Sequence, residues 1–204
     1  MVARLARIYI CATFSSKLGS NRLDATQGIY FSTFVMQPLE PPDLHYLSAA
    51  IGWLGLGNAR EAESELGCIS LEQQGHPDVL EVRWIISAEQ KQWDEALKIA
   101  RTIMDRAPDR CSGWLHQAYA LRRVPNGGVK QAWQALLPAF DKFPEEALIS
   151  YNLSCYACQM KQLEAARVWL KRAVFLGGKE KIKRMALDDP DLEPLWPEIR
   201  RGSC

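Results

Sequence analysis

The chain has 204 residues, 25 basic against 24 acidic, a net charge of +1, and 48% apolar residues including seven tryptophans. That length makes one domain the default and supplies material for a sizeable core. Near-neutrality leaves no electrostatic footprint for nucleic acid, and no apolar run approaches the ~18 residues that mark a membrane span.

Residues 1–42 differ in character from the remainder of the chain. Residues 1–35 hold Arg4, Arg7, Lys17 and Arg22 against Asp24, a net of +3, whereas residues 36–204 carry −2. No helical stripe runs through this segment, so it is expected to be a disordered or non-native N-terminal extension, with Met36 as a natural start. The alternative is a secretion signal built on Arg4, Arg7 and the apolar stretch from Ile8 to Phe14. That stretch is short and lacks a clean small-residue cleavage site.

From residue 43 onward the pattern is helical and repeated. Ala62, Ala96, Ala132 and Ala166 lie 34, 36 and 34 residues apart. Four residues after each stands Leu66, Ala100, Leu136 or Leu170, and seven after each stands Ile69, Ile103, Ala139 or Ala173. Such a period marks a stacked array of helix–turn–helix units. First helices are expected over about 43–56, 77–90, 111–124 and 147–160, and second helices over about 59–72, 93–106, 129–142 and 163–176. Asn58, Asp94 and Pro77-Asp78 supply start signals; Gly57, Gly75 and Gly177 supply stops. Pro125-Asn126-Gly127-Gly128 accounts for the two extra residues in the third unit. One more helix is expected over 179–187, ended by the Asp188–Asp191 run because the residue before a proline avoids helical angles.

The period, the paired helices and the small residues at their crossings resemble the tetratricopeptide repeat, whose pattern runs W-x2-L-G-x2-Y, then A-x3-F, then P. The third unit supplies Trp114, Ala118, Leu121, Ala132, Leu136, Ala139 and Pro144. The fourth supplies Leu153, Ser154, Ala157, Ala166, Leu170 and Ala173, and the ending from Ala186 to Trp196 looks like endings of bacterial proteins of this family. Arg83 and Trp84 depart from the pattern, and Gln74 and Gly178 stand where a closing proline is usual. The resemblance implies an all-α fold: an α-solenoid of antiparallel helix pairs, wound as a right-handed superhelix, with four repeats over 43–178. Residues 179–204 are expected to form a cap and tail, because the last repeat has no neighbour to cover its apolar face.

The resemblance also implies a concave groove lined by the first helices. Its peptide-contacting positions fall at Leu47, Ile51, Leu54, Ile85, Leu115, Tyr119, Arg122, Tyr151 and Asn152. In that groove Leu47, Ile51 and Leu54 are expected to seat apolar anchors, Arg122 and Arg123 to pair a ligand acid, and Asn152 to hold a peptide backbone. Members that clamp a chaperone's C-terminal carboxylate use lysine, arginine and asparagine. The matching positions here are Leu47, Ile51, Val82, Ser112 and His116, so that partner is not implied.

Other chemistry finds little support. Cys155 and Cys158 are spaced as C-x-x-C but late in a helix, away from the N-terminal position that activates a thiol. Small packing residues, a redox pair and a partial metal site remain the readings, with packing preferred, since no second ligand pair exists. His45, His76 and His116 are isolated; Glu145-Glu146 and Asp188-Asp189 are helix-end acids; no nucleophile motif occurs. The tryptophans fit core positions better than a binding cage. The expectation is therefore a non-catalytic scaffold or adaptor binding a protein or peptide segment, without catalytic residue, metal or cofactor. It is expected to be cytoplasmic on its cysteine usage, monomeric or weakly self-associating, with neither nucleic acid nor membrane as partner. An assembly- or secretion-type chaperone holding an apolar client is the alternative, and an enzyme or redox protein the third reading.

Overall fold

A computed structural model of the protein describes residues 37–202; the expectations for residues 1–36 lie outside these. The described elements are helices, without a strand, and they divide into a unit ending at Gln90 and a unit from Lys91 onward.

The first unit contains α1 (Asp43–Gly55), α2 (Ala59–Gly67), a 3-10 turn (Leu71–Gln73) and α3 (Pro77–Glu89). Asn58 caps α2 by accepting from Glu61 N at 3.2 Å, and the His76 side chain accepts from Asp78 N ahead of Pro77. The helix expected over 59–72 stops at Gly67. Beyond it, Ser70 turns to α1, where its N and Oγ donate to the Asp43 carboxylate at 2.8 and 2.6 Å. Gln74, which stands where a closing proline is usual, makes bonds a proline could not: its Nε2 donates to Leu66 O and Ile69 O, satisfying carbonyls freed at the helix end. Arg83, another departure from the repeat pattern, donates to the Gln74 side-chain oxygen. Packed structure begins ahead of α1: Leu39 is buried, and Gln37 O lies 3.2 Å from His76 Nε2.

The second unit contains α4 (Trp93–Arg106), α5 (Ser112–Leu121), α6 (Val129–Lys142), α7 (Ala147–Gln159), α8 (Leu163–Gly177), α9 (Lys179–Leu187), a 3-10 segment (Pro190–Leu195) and α10 (Trp196–Arg201). Asp94 falls in the first turn of α4, whose N-cap is Gln92. The expected 111–124 helix is shorter, since the Pro125–Gly128 insertion turns the chain and Gly128 N bonds Leu121 O at 2.9 Å.

The repeat positions are the packed ones. Ala62, Leu66 and Ile69 are buried, and so are their three sets of equivalents from Ala96 to Ala173. Small side chains there bring paired helices close enough for backbone to be read: Ser154 Oγ of α7 donates to Ala166 O of α8 at 2.8 Å. Gly113 of α5 faces α4 so closely that a Cβ would stand 2.7 Å from Met104 Cγ. On the second helices, Trp169 of α8 meets Trp133 and Phe140 of α6 edge-on, at 6.1 and 5.0 Å between centroids.

The turns after α1 and α7 need one left-handed residue. Gly57 (φ 79) supplies it without steric cost, whereas Lys161 (φ 62) adopts it at the equivalent position, and Lys91 (φ 59) is left-handed as well. The bonding is shared: Gly57 N to Leu54 O and Asn58 N to Trp53 O, Lys161 N to Cys158 O and Gln162 N to Ala157 O.

Candidate peptide-binding site

The candidate positions separate by burial. In the first unit Leu47, Leu54 and Ile85 are buried and Ile51 is half-buried. In the second, Leu115 and Tyr151 are buried, while Tyr119, Arg122 and Asn152 keep part of their surface. Five of the nine positions are therefore core positions in this conformation rather than an open lining. The expected apolar seat at Leu47, Ile51 and Leu54 retains only Ile51 as a partly accessible member.

For Tyr151 the covering group is the chain's own C-terminal segment. The 3-10 segment lies against α7, with Leu192 and Leu195 fully buried, and two aspartates ahead of them take the polar groups of the inner face. Arg122 forms a two-pronged ion pair with Asp191, one prong at 2.7 Å. Tyr151 Oη donates to Asp189 Oδ2 at 3.0 Å, Cys155 Sγ donates to the same oxygen at 3.6 Å, and Gln159 Nε2 donates to Asp191 O at 3.2 Å. Asp189 Oδ1 accepts from Asp191 N at 3.0 Å and so caps the 3-10 segment. Arg122, expected to meet a partner's acid, meets one from this chain. Asn152 Nδ2 donates to Leu148 O, one turn back in α7.

Electrostatics follow from this burial. Desolvation raises the Asp189 carboxyl above its usual range, against the hydrogen bonds that favour its charged form. Tyr151 and Tyr156 are raised by burial, and Arg122 is raised by its bond to Asp191. Cys155 is pushed well up and Cys158 up, burial being the largest cause for both. These are conditions that disfavour the thiolate on which redox chemistry or metal binding depends. His116 is buried and makes polar contacts of its own. Among the described residues no group of three or more histidine, cysteine or acidic side chains is placed to hold a metal ion.

A cluster between α4 and α5 keeps its charge unpaired. The Arg123 guanidinium lies 3.5 Å from the Tyr119 ring centroid and 5.2 Å from that of Trp93, the two rings being 6.0 Å apart. Its NH1 donates to Tyr119 O at 2.9 Å, and it has no carboxylate partner among the described residues. Partial burial lowers its pKa, a sign of a cation held out of water. Sequence reasoning placed Tyr119 and Arg123 on the inner face. It left Asp189 and Asp191, read only as a helix-ending run, unconnected to it.

No protein-family model matches the sequence, and no curated protein matches it. Solved structures do share the fold. TTC0263, a thermophilic TPR protein of Thermus thermophilus, superposes with a TM-score of 0.63 at 18% identity, over 77% of this chain and 82% of that one. A double mutant of MamA RS-1 gives 0.56 at 15% identity, over 68% and 77%. MamA AMB-1 gives 0.51 at 16%, over 79% and 96%. With the buried 34-residue pattern, these likenesses make the chain an all-α, TPR-like helical-repeat protein.

Proposed function

We propose that the protein is a non-catalytic interaction scaffold that binds a peptide or protein segment on the inner face of its repeats. The observation carrying this reading is the Trp93–Tyr119–Arg123 cluster. A half-buried arginine stacked on two rings without a carboxylate partner suits a partner's acidic side chain, and Tyr, Trp and Arg are the types enriched among interface anchors. Tyr119 and Asn152 are the accessible positions of the second unit in this reading, and Ile51 is that of the first. Leu47, Leu54, Ile85, Leu115 and Tyr151 serve it as the packed interior of their own units, and Arg122 serves it by holding the C-terminal segment. A chaperone cradle for apolar clients is less well supported, because the apolar positions it needs are mostly buried. The described cysteines are free thiols, which fits the proposed cytoplasmic setting. No described helix is long and apolar enough to cross a membrane.

The test is affinity capture from source cells followed by calorimetry with the recovered partner. Tyr119→Ala with Arg123→Ala is expected to weaken binding by about 2 kcal/mol, roughly thirtyfold. Cys155→Ser with Cys158→Ser is expected to leave it within twofold, since a serine hydroxyl can still donate to Asp189. The reverse pattern rejects the scaffold reading in favour of thiol chemistry.

A further inference from the structure

The charge of this near-neutral chain is strongly polarised. Residues 37–90 carry two basic side chains, Arg60 and Arg83, against nine acidic ones, a net of −7. Residues 163–187, which contain α8 and α9, carry seven basic against two acidic, a net of +5. Each segment also leaves large apolar side chains in water. On the first unit, Leu44 and Leu71, the latter 87% exposed, flank the Asp43–Ser70 bond. Glu40, four residues before Leu44, Glu72, directly after Leu71, and Glu63 of α2 are exposed in the same unit. On the second unit, Val168, Lys171 and Phe175 follow at helical spacing along α8. Val168 is 66% and Phe175 85% exposed. Helix α9 packs on α8 around Leu170, Val174, Ile182 and Ala186 and adds the exposed Lys179 and Lys181. Arg167 is neutralised by Glu164 and Glu198, but Lys171, Lys179 and Lys181 have no carboxylate partner among the described residues.

A single exposed leucine is ordinary. Here two exposed apolar sets lie in segments of opposite net charge on one molecule. We propose that the basic α8–α9 face docks the acidic face of the first unit of a second copy, so that the chain associates with itself through unlike faces. Each face is charged against itself, which rules out a two-fold contact through either one. The contact therefore joins unlike faces of two copies. An anionic lipid surface also suits the basic face, but it gives Leu44, Leu71 and the acidic excess around them no role. The second copy accounts for both faces.

The test is sedimentation velocity on the full chain across the micromolar range. The wild type is expected to sediment as a concentration-dependent series. Association should weaken at least tenfold between about 0.05 and 0.5 M salt, as the screening length falls from roughly 14 to roughly 4 Å. One chain carries Lys171→Glu, Lys179→Glu and Lys181→Glu, and another carries Glu40→Lys, Glu63→Lys and Glu72→Lys. Each alone is expected to stay monomeric, and their mixture to associate. Leu71→Gln and Phe175→Gln, at exposed positions that leave the fold intact, provide a second pair, each expected to weaken association about tenfold. A wild type that stays monomeric throughout overturns the proposal. So does a charge-swapped chain that still self-associates, or a mixture that does not. A monomeric wild type that floats with vesicles of anionic lipid assigns the basic face to a membrane instead.

Discussion

Arg122→Ala tests whether the C-terminal segment is held by specific polar contacts or only by its leucines. Arg122 and Asp191 keep 19% and 22% of their side-chain surface. Exposed ion pairs are worth about 0–1 kcal/mol. Removing one partner of a fully buried pair costs about 3–5 kcal/mol, because the other charge is stranded. A pair one-fifth exposed falls between these limits, and the stranded Asp191 would sit beside the Asp189 carboxylate, so a loss of about 2 kcal/mol is expected. Urea denaturation followed by circular dichroism reads it as a lower midpoint at unchanged slope. A cycle with Asp191→Ala isolates the pair, and a coupling of at least about 1 kcal/mol is expected. Coupling below about 0.5 kcal/mol, with both single variants folded, would refute the reasoning. The segment would then be held by Leu192 and Leu195 alone.

Other consequences are checked by the same melts. Ala166→Phe and Ala62→Phe overpack helix crossings where no surface is exposed, and each should cost about 1–3 kcal/mol or more. Lys161→Gly relieves a left-handed lysine and should stabilise by up to about 1 kcal/mol; no gain would mean the stem's packing offsets the strain. Asp189 gives a pH signature. Its folded pKa lies above the usual 3.8, so the folded state binds the proton more tightly than the unfolded chain. Its contribution is fully present below that value and is lost as pH rises through the folded pKa. The stability of wild type relative to Asp189→Asn should therefore fall as pH rises from about 4 towards neutrality. A flat difference would show that the hydrogen bonds from Tyr151 and Asp191 cancel the cost of burial.

The repeat was legible residue by residue. Ala62, Ala96, Ala132 and Ala166 announce helix crossings because only a small side chain fits between close-packed helices, and all four are fully buried. Helix starts at Asn58 and Pro77 and the break at Asp188 were local chemistry and came out as local chemistry. The early end of α2 was not legible, because it depends on Ser70 finding Asp43, 27 residues away. The groove was legible as a set of positions but not as a surface. Periodicity says which residues share a helix face, and it is silent on what covers that face.

The amino-acid order by itself thus determined where the helices lie and the all-α repeat fold, since each follows from spacing within about 35 residues. Only the tertiary structure decided that Arg122, Tyr151 and Cys155 face Asp189 and Asp191 rather than solvent. That contact joins residues 34 to 69 positions apart. It exists because burying Leu192 and Leu195 carries two carboxylates onto Arg122, Tyr151 and Cys155, whose donors satisfy them.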